Sequence, residues 1–188
     1  MDRDTILIRN NQLYRHKTCR FNFTTYDVRR SQDSINPSTP HHDIIVKARD
    51  DPSNKGYHPF WYARVIGIFH VQARYNRRDS DWQPVQFLWV HWFGRSESTN
   101  FRISQPVNQN QLDWVGFVTG EDDTEIFGFL DPADVVRSCH LIPAFNDGQT
   151  DELMVPSIAR CEAEGDLDWK YYYVNRFATL VHLSILCC

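Results

Sequence analysis

The adjacent pair Cys139 and His140 is the first place in the sequence where a nucleophile and a base stand together. Cysteine catalysis requires a thiol within hydrogen-bond reach of the base that takes its proton. Residues 139–145 (CHLIPAF) are predicted to form a short strand, and adjacent side chains of a strand point to opposite faces. The two residues therefore cannot form a dyad, and Cys139 is predicted to be a small buried core residue.

The eight histidines and five cysteines show no spacing that is typical of a metal site, since CxxC, HxxxH and HExxH are all absent. Carboxylate pairs such as Asp122 with Asp123, or Asp131 with Asp134, could serve acid–base chemistry. An acidic hairpin tip and a helix cap explain these pairs more simply. Walker A, GxGxxG and GxSxG motifs are absent as well. The sequence therefore predicts a protein that is not an enzyme, with no catalytic residues, no metal and no cofactor.

Aromatic residues are the more informative group, because they make up 14% of the chain and include six tryptophans. Five of them come from two strands that are predicted to be neighbours: Trp61, Tyr62, Trp89, Trp92 and Phe93. Two or three such rings that open to solvent can form a cage for a methylated ammonium group. Most clustered aromatic residues are core, so the predicted pocket is limited to Trp61, Tyr62 and Trp92. Of these, Tyr62 and Trp92 are the candidates for exposure.

Arginines supply the candidates for contacts with phosphate, and these are Arg29, Arg30, Arg74, Arg77 and Arg78. The net charge of −4 hides an uneven distribution. Residues 1–112 carry 16 Lys and Arg against 10 Asp and Glu, whereas residues 113–168 carry 2 against 14. Either the two parts neutralise each other in the fold, or a basic face binds an acidic partner. The overall acidity argues against a strong autonomous nucleic-acid binder.

The elements that must position these side chains are mostly short strands. Strands are predicted at 5–8, 13–26, 43–48, 61–75, 85–93, 114–118, 126–130 and 139–145. Polar connections are predicted at 26–40, 50–59, 76–84 and 94–113. Asp131 and Pro132 predict the start of a helix, because Asp favours the N-cap position and Pro the first helical position. A closing helix is predicted at 166–177.

Residues 61–75 form the longest predicted strand. Its odd-numbered positions, from Trp61 to Tyr75, are non-polar, whereas the even-numbered positions are mixed. This alternation is typical of a sheet with one buried face. Gly67 is predicted to mark a bulge or bend. The following strand, 85–93, is apolar at nearly every position and is predicted to be covered on both faces.

The predicted fold class is mainly β, with an SH3-like, partly open barrel, an N-terminal β extension and a short C-terminal helix. The predicted boundaries are 1–40 for the extension, 41–145 for the barrel and 146–188 for the C-terminal segment. No run reaches the roughly 18 apolar residues of a membrane span. The odd cysteine count and the polar first residues favour a reducing, intracellular compartment.

Four segments resemble, in order and spacing, the motifs of the bromo-adjacent homology (BAH) domain. They are DIIV at 43–46, FWYARVI at 60–66, VHWF at 90–93 and LDPADVVRSCHL at 130–141. The resemblance implies an SH3-like barrel that binds chromatin proteins and is not an enzyme. His91 stands where the family usually has Arg, Ser138-Cys139 replaces a Gly-Lys-Cys type sequence, and the family's acidic ENELFxS segment is not evident. The family's ligand-binding residues are therefore not transferred to this chain.

Residues 13–177 also resemble the C-terminal region of Plavaka-type transposase proteins, which belong to the KDZ-like elements of mushroom-forming fungi. The segments that carry this resemblance are residues 14–46, HPFWYARVIGIFHV, FLWVHWFG, FGFLDPADVVRSCHLIPAF and DWKYYYVNRF. The resemblance implies an accessory module of a mobile element, with the DNA-cutting core located upstream. After Phe177 the chain departs from the family pattern and reads ATLVHLSILCC, as a changed reading frame or a decayed copy would.

The leading hypothesis is a non-catalytic, nuclear interaction module of a transposon-derived protein. Its expected partners are a chromatin protein such as a histone tail, or DNA, together with the transposase core, and no membrane. The alternative is a structural domain that packs on the transposase core and has no ligand of its own. A third hypothesis, a metal-dependent nuclease remnant, needs at least three converging Asp, Glu or His side chains. A small aromatic-lined pocket favours ligand recognition, whereas a large exposed apolar patch favours docking.

Overall fold

The computed structural model describes residues 5–24, 30–48, 53, 58–76, 80–95, 113–119, 126–151 and 167–175. These residues are mainly β, as predicted. The strands are β1 (Ile6–Ile8), β2 (Tyr14–His16), β3 (Cys19–Thr24), β4 (Arg30–Ile35), β5 (Asp43–Lys47), β6 (Phe60–Tyr75), β7 (Gln83–Arg95), β8 (Trp114–Phe117), β9 (Phe127–Leu130), β10 (Val135–Ser138), β11 (Leu141–Pro143), β12 (Gln149–Thr150), β13 (Asp168–Trp169) and β14 (Tyr172–Val174). Within these ranges, no helix is long and apolar enough to cross a membrane.

Ten of the strands form one sheet that curls into a half-barrel. Its main path runs β10-β5-β6-β7-β8-β14-β11, and every pairing in it is antiparallel. The long strand β6 also pairs with β1 and β2, and β7 also pairs with β9. Along this path β5, β6, β7 and β8 are consecutive in sequence, whereas β10, β14 and β11 join from distant parts of the chain.

The hairpin of β6 and β7 is the centre of the sheet, and its register shifts between Val65 and Gly67. This shift confirms the predicted irregularity at Gly67. One extra residue in a strand moves the following side chains to the opposite face. Val65 and Ile68 consequently share one core cluster, although their separation is odd. The predicted single non-polar face from Trp61 to Tyr75 is therefore wrong beyond the bulge.

Two groups of buried side chains stabilise the curled sheet. The first core contains Phe21, Ile35, Ile44, Val46, Ala63, Val65, Ile68, Leu88, Val90 and Leu130. The second core contains Ile45, Tyr62, Phe93, Val115, Phe117, Cys139, Leu141, Tyr172 and Val174. Neighbouring residues of β5 and β6 belong to different cores, because successive side chains of a strand alternate between faces. Both faces of the central hairpin are thus covered over part of its length.

The predicted connection at 26–40 is wrong in its central part, because Arg30–Ile35 forms β4 and pairs with β3. Most of β4 is exposed, but Ile35 is completely buried in the first core. Asp33 Oδ2 accepts a hydrogen bond from Arg137 Nε at 3.3 Å and another from the backbone N–H of Ser138 at 3.0 Å. The Arg137 guanidinium also lies 3.9 Å from the centre of the Phe23 ring. These contacts join the β3–β4 hairpin to β10.

The predicted closing helix at 166–177 is also wrong, since the described residues 167–175 contain β13 and β14. Tyr172 and Val174 are buried in the second core, whereas Tyr173 between them is exposed. This alternation has the period of a strand. The pairing of β14 with β8 and β11 stabilises the segment in that conformation. Tertiary packing therefore determines the conformation of a run of tyrosines with weak helix propensity.

The helix start predicted at Asp131 is confirmed as a single 3₁₀ turn over Pro132–Asp134. The Asp131 carboxylate accepts from the backbone N–H of Ala133 at 2.8 Å, which is the contact of an N-cap. The chain then continues as β10, because Val135–Ser138 pairs with the edge of β5.

Replacing Gly116 in β8 by Ala is expected to lower the free energy of unfolding by about 1–3 kcal/mol. An added Cβ would lie 2.9 Å from the backbone carbonyl oxygen of Lys170, which belongs to the tight turn before β14. Gly94 lies directly opposite Gly116 and is the matched control, because an added Cβ there meets the methyl group of Val118 at 3.3 Å. Urea unfolding of both variants measures the difference, and equal losses would contradict the prediction.

Candidate functional site

A cleft of about 360 Å³ lies where β5, β6, β11, β13 and β14 come together. It is lined by Pro40, His42, Asp43, Arg64, His140, Leu141, Pro143, Gln149, Leu167, Asp168, Trp169 and Tyr172. Its volume is within the range of clefts that bind small ligands or single side chains. We call it the acidic–aromatic cleft, after the carboxylates and rings in its lining.

A buried ion pair between Asp43 and Arg64 forms the floor of the cleft. The two residues lie directly opposite each other in β5 and β6. Arg64 Nε donates to Asp43 Oδ1 at 2.9 Å, Nη2 donates to Oδ2 at 3.3 Å, and each residue is only 4% exposed. This fork geometry is the strongest form of an Arg–carboxylate contact. The Asp43 carbonyl also accepts from the backbone N–H of Cys139 at 2.9 Å, so backbone contacts fix the position of the acid.

Three aromatic rings surround the Arg64 guanidinium. Its Cζ lies 5.6 Å from the ring centre of Phe93, 5.1 Å from that of Phe117 and 5.4 Å from that of Tyr172. These distances are within the range of cation–π attraction. The arrangement is an aromatic cage that already holds a cation of the chain itself, and only Tyr172 of the three rings also lines the cleft.

Tyr172 and Asp168 line the inner part of the cleft together. Asp168 is 3% exposed and Tyr172 is 5% exposed. Burial raises the pKa of the Tyr172 hydroxyl, and the Asp43 and Asp168 carboxylates act in the same direction, while Arg64 opposes them. Tyr172 therefore stays neutral at physiological pH. Two carboxylates and one guanidinium line the cleft, and His42 Nε2 lies 3.8 Å from Asp43 Oδ1.

The outer part of the cleft is aromatic and more open. Trp169 is partly buried, and its ring meets that of Phe145 edge to face, with 5.0 Å between the ring centres. Phe145 is 67% exposed, and Leu167 is 45% exposed. Leu167 and Trp169 therefore add apolar surface to the lining beside the carboxylates.

The cysteine beside this lining is not activated as a nucleophile. The Cys139 thiol lies close by, but burial raises its pKa well above the usual value, and the Asp43 charge raises it further. A protonated thiol is a poor nucleophile. His140, its neighbour in the sequence, is exposed, whereas Cys139 is buried as predicted. The lining combines aromatic rings with carboxylates, and both groups attract cations.

The predicted pocket of Trp61, Tyr62 and Trp92 does not assemble. Trp61 and Trp92 pack against the first core and meet edge to face, with 5.7 Å between ring centres. Tyr62 points to the opposite face into the second core, where its hydroxyl donates to Asp113 Oδ2 at 2.8 Å. The expected exposure of Tyr62 is wrong, because only 3% of the residue is accessible. Trp61 and Tyr62 are adjacent on β6, and their side chains point to opposite faces of the sheet.

The arginines predicted to contact phosphate are only partly within the described residues. Arg30 is exposed at the start of β4. Arg74 is partly buried near the end of β6, where its Cζ lies 4.7 Å from the ring centre of Trp82. Arg29, Arg77 and Arg78 lie outside the described residues, as do Asp122 and Asp123 of the predicted acidic turn.

The cleft residues were missed by sequence reasoning, although two signals point to them. Arg64 interrupts a strand whose neighbours are apolar, and a buried Arg requires a carboxylate partner. Asp43 begins the apolar strand DIIV and provides that partner. The sequence did not indicate Asp168, Trp169 and Tyr172, because their segment was predicted to be a helix. A helix has a different side-chain period from the strands β13 and β14 that form there.

The fold and site define this chain as a mainly β half-barrel with an acidic–aromatic cleft. Compared with models of protein families, with curated proteins and with solved structures, the chain has no match. Among the described residues, no group of three or more His, Cys, Asp or Glu side chains could hold a metal ion.

Proposed function

We propose that this chain is a non-catalytic interaction module of a transposon-derived protein that acts at chromatin in the nucleus. In this proposal the half-barrel is a BAH-like variant of the SH3-type barrel, as its four sequence segments suggest. The acidic–aromatic cleft receives a basic side chain, such as lysine or methylated lysine, from a chromatin protein. The observation that carries the proposal is the joint presence of Asp168, Trp169 and Tyr172 in one cleft.

The charge of the cleft favours a basic peptide over DNA as its occupant. Phosphate groups would meet the carboxylates of Asp43 and Asp168, and the Arg64 guanidinium is already paired with Asp43. A histone tail supplies lysine side chains whose stems can pack on Trp169 while their charged ends approach the carboxylates. DNA contacts, if the chain makes them, belong to other surfaces, for which Arg30 and Arg74 remain the predicted residues.

Calorimetric titration with lysine-rich histone-tail peptides tests this proposal. We expect saturable binding that Trp169→Leu weakens about tenfold or more, since a desolvated cation–π contact is worth about 2 kcal/mol. Asp168→Asn is expected to weaken binding as well, because it removes a negative charge while conserving shape. Acetylation of the peptide lysines, which removes their charge, is expected to abolish binding.

Phe129→Ala is the matched control, because Phe129 is 75% exposed and does not line the cleft. Thermal unfolding of each variant separates loss of binding from loss of folding. Equal affinities for the native and acetylated peptides, or an unchanged affinity after Trp169→Leu, would contradict the proposal. Titration with duplex DNA shows whether nucleic acid competes for the same cleft.

A second candidate function, docking on a transposase core, is favoured by one specific observation. An aromatic patch lies outside the cleft, where Phe69 and Phe87 are directly paired and Phe87 meets Phe129 edge to face at 5.5 Å. Val85, two residues before Phe87, is 46% exposed on the same strand. Exposed aromatic groups of this kind mark protein interfaces.

Coexpression with the transposase core distinguishes this second function from the first. Docking through the aromatic patch predicts that Phe129→Asp abolishes copurification and that Asp168→Asn leaves it unchanged. Copurification that survives Phe129→Asp would remove the support for docking through this patch.

A further inference from the structure

Two histidines on neighbouring strands meet on the surface of the sheet, far from each other in sequence. Tyr14 of β2 lies directly opposite His70 of β6, and His16 lies opposite Ile68. Because side chains two positions apart share a face, Tyr14, His16 and His70 all project from the same side. His16 is exposed and His70 is partly exposed, so solvent reaches this side of the sheet.

The two imidazoles are close enough to share a ligand. His16 Nε2 and His70 Nδ1 are 2.6 Å apart, and the two ring centres are 4.8 Å apart. Tyr14 stacks on His70 at 4.7 Å with an interplanar angle of 12°, and the Tyr14 hydroxyl donates to Gln12 Oε1 at 2.9 Å. The His70 ring therefore contacts the rings of both Tyr14 and His16. Rings that are held in place by their neighbours lose little entropy when they bind a ligand.

We propose that His16 and His70 form a binding site for a divalent late transition-metal ion. Neutral imidazole is the side-chain ligand that Cu²⁺, Ni²⁺ and Zn²⁺ share, and Cu²⁺ binds most tightly in this order of metals. Two nitrogens that each bind one ion at about 2.0–2.1 Å lie roughly 3 Å apart. The two rings must therefore separate by a few tenths of an ångström and turn so that both facing lone pairs point at the ion. Water fills the remaining coordination positions, which leaves the ion open to further ligands.

Binding exchanges one hydrogen bond for two coordinate bonds. In the free protein one ring nitrogen donates its N–H to the other. When the ion binds, that proton moves through water to the second nitrogen of the same ring, and both facing nitrogens give their lone pairs to the metal. Neutral imidazoles then lose no net proton.

Titration of the untagged full chain with Cu²⁺ and Ni²⁺ tests the site. We expect His16→Ala and His70→Ala each to weaken binding at least about tenfold, since even partners outside the first coordination shell are worth about 10- to 100-fold. His41→Ala is the matched control, because His41 is an exposed histidine in a loop. Its affinity is expected to equal that of the unmodified chain.

Paramagnetic broadening by Cu²⁺ locates the site independently of affinity. We expect amide signals of residues 14–16 and 68–70 to disappear first as Cu²⁺ is added. Broadening centred elsewhere, or affinities that both His16→Ala and His70→Ala leave unchanged, would overturn the proposal. Circular dichroism confirms folding of the variants, and a variant that fails to fold is replaced by His→Gln at the same position. The site is independent of the acidic–aromatic cleft, so either proposal can fail alone.

Discussion

Replacing Arg64 by Met is expected to lower the free energy of unfolding by about 3–5 kcal/mol. The substitution leaves the Asp43 carboxylate 4% exposed without its guanidinium partner, and it removes the cation from the cage of Phe93, Phe117 and Tyr172. His42, whose Nε2 lies 3.8 Å from Asp43 Oδ1, is then the nearest ionisable neighbour of the carboxylate. A buried charge that loses its hydrogen-bonded partner is among the largest single costs in a folded protein. Urea unfolding at neutral pH measures the loss. The dependence of the unfolding free energy on urea concentration is expected to stay unchanged.

The double variant Arg64→Met with Asp43→Asn separates the ion pair from packing. Because both charges are removed together, we expect it to recover a substantial part of the stability lost in the single variant. Arg30→Met is the matched control at an exposed position and is expected to change stability by less than about 0.5 kcal/mol. A loss below about 1 kcal/mol for Arg64→Met would mean that the pair behaves as a solvated surface contact.

Acidification is expected to destabilise the fold through His91. Burial lowers the pKa of His91 to about 4 from its ordinary value of 6.5, and the Arg64 charge contributes, while the Val118 carbonyl opposes the shift. The ring stacks on Phe117 at 4.4 Å and is 1% exposed, so the neutral form is strongly preferred in the fold. The unfolded chain takes up a proton near pH 6.5, whereas the native state does so only near pH 4. Protons therefore favour unfolding.

The contribution of His91 is complete above pH 6.5 and is lost as the pH falls towards about 4. The loss reaches about 2 kcal/mol at pH 5 and roughly 3 kcal/mol below pH 4, at about 1.4 kcal/mol for each pKa unit. His91→Gln is the matched variant, because its amide can still donate to the Val118 carbonyl oxygen. We expect the stability difference between the chain and this variant to shrink by these amounts on acidification. Parallel pH profiles of the two proteins would contradict the assignment to His91.

Strong local patterns made much of the sheet predictable from the sequence. The alternation of residues 61–75 and the apolar run of residues 85–93 correspond to β6 and β7. Gly67 lies at the bulge in β6, where the register with β7 shifts between Val65 and Gly67. Each of these signals depends on neighbouring residues alone. The strand β4 gave no such signal, because its polar side chains face solvent and only Ile35 is deeply buried.

The candidate site was much less predictable, because its residues are brought together from distant parts of the chain. Asp43, Arg64 and Tyr172 are adjacent in space only after β5, β6 and β14 have joined one curled sheet. Aromatic content directed attention to Trp61, Tyr62 and Trp92, but strand alternation places Tyr62 on the opposite face of β6 from Trp61. A cluster of rings in the sequence therefore predicts burial better than it predicts a binding surface.

Cleft occupancy is tested most directly by following the tryptophan indole signals of the ¹⁵N-labelled chain during titration with a methyl-lysine peptide. Binding in the acidic–aromatic cleft predicts that the Trp169 indole signal shifts saturably, together with the amide signals of Asp168 and Tyr172. The Trp61 and Trp92 indoles, which pack against the first core, are expected to stay unchanged. Saturable shifts confined to Trp61 and Trp92, or no shift at Trp169 up to millimolar peptide, would contradict the proposed binding site.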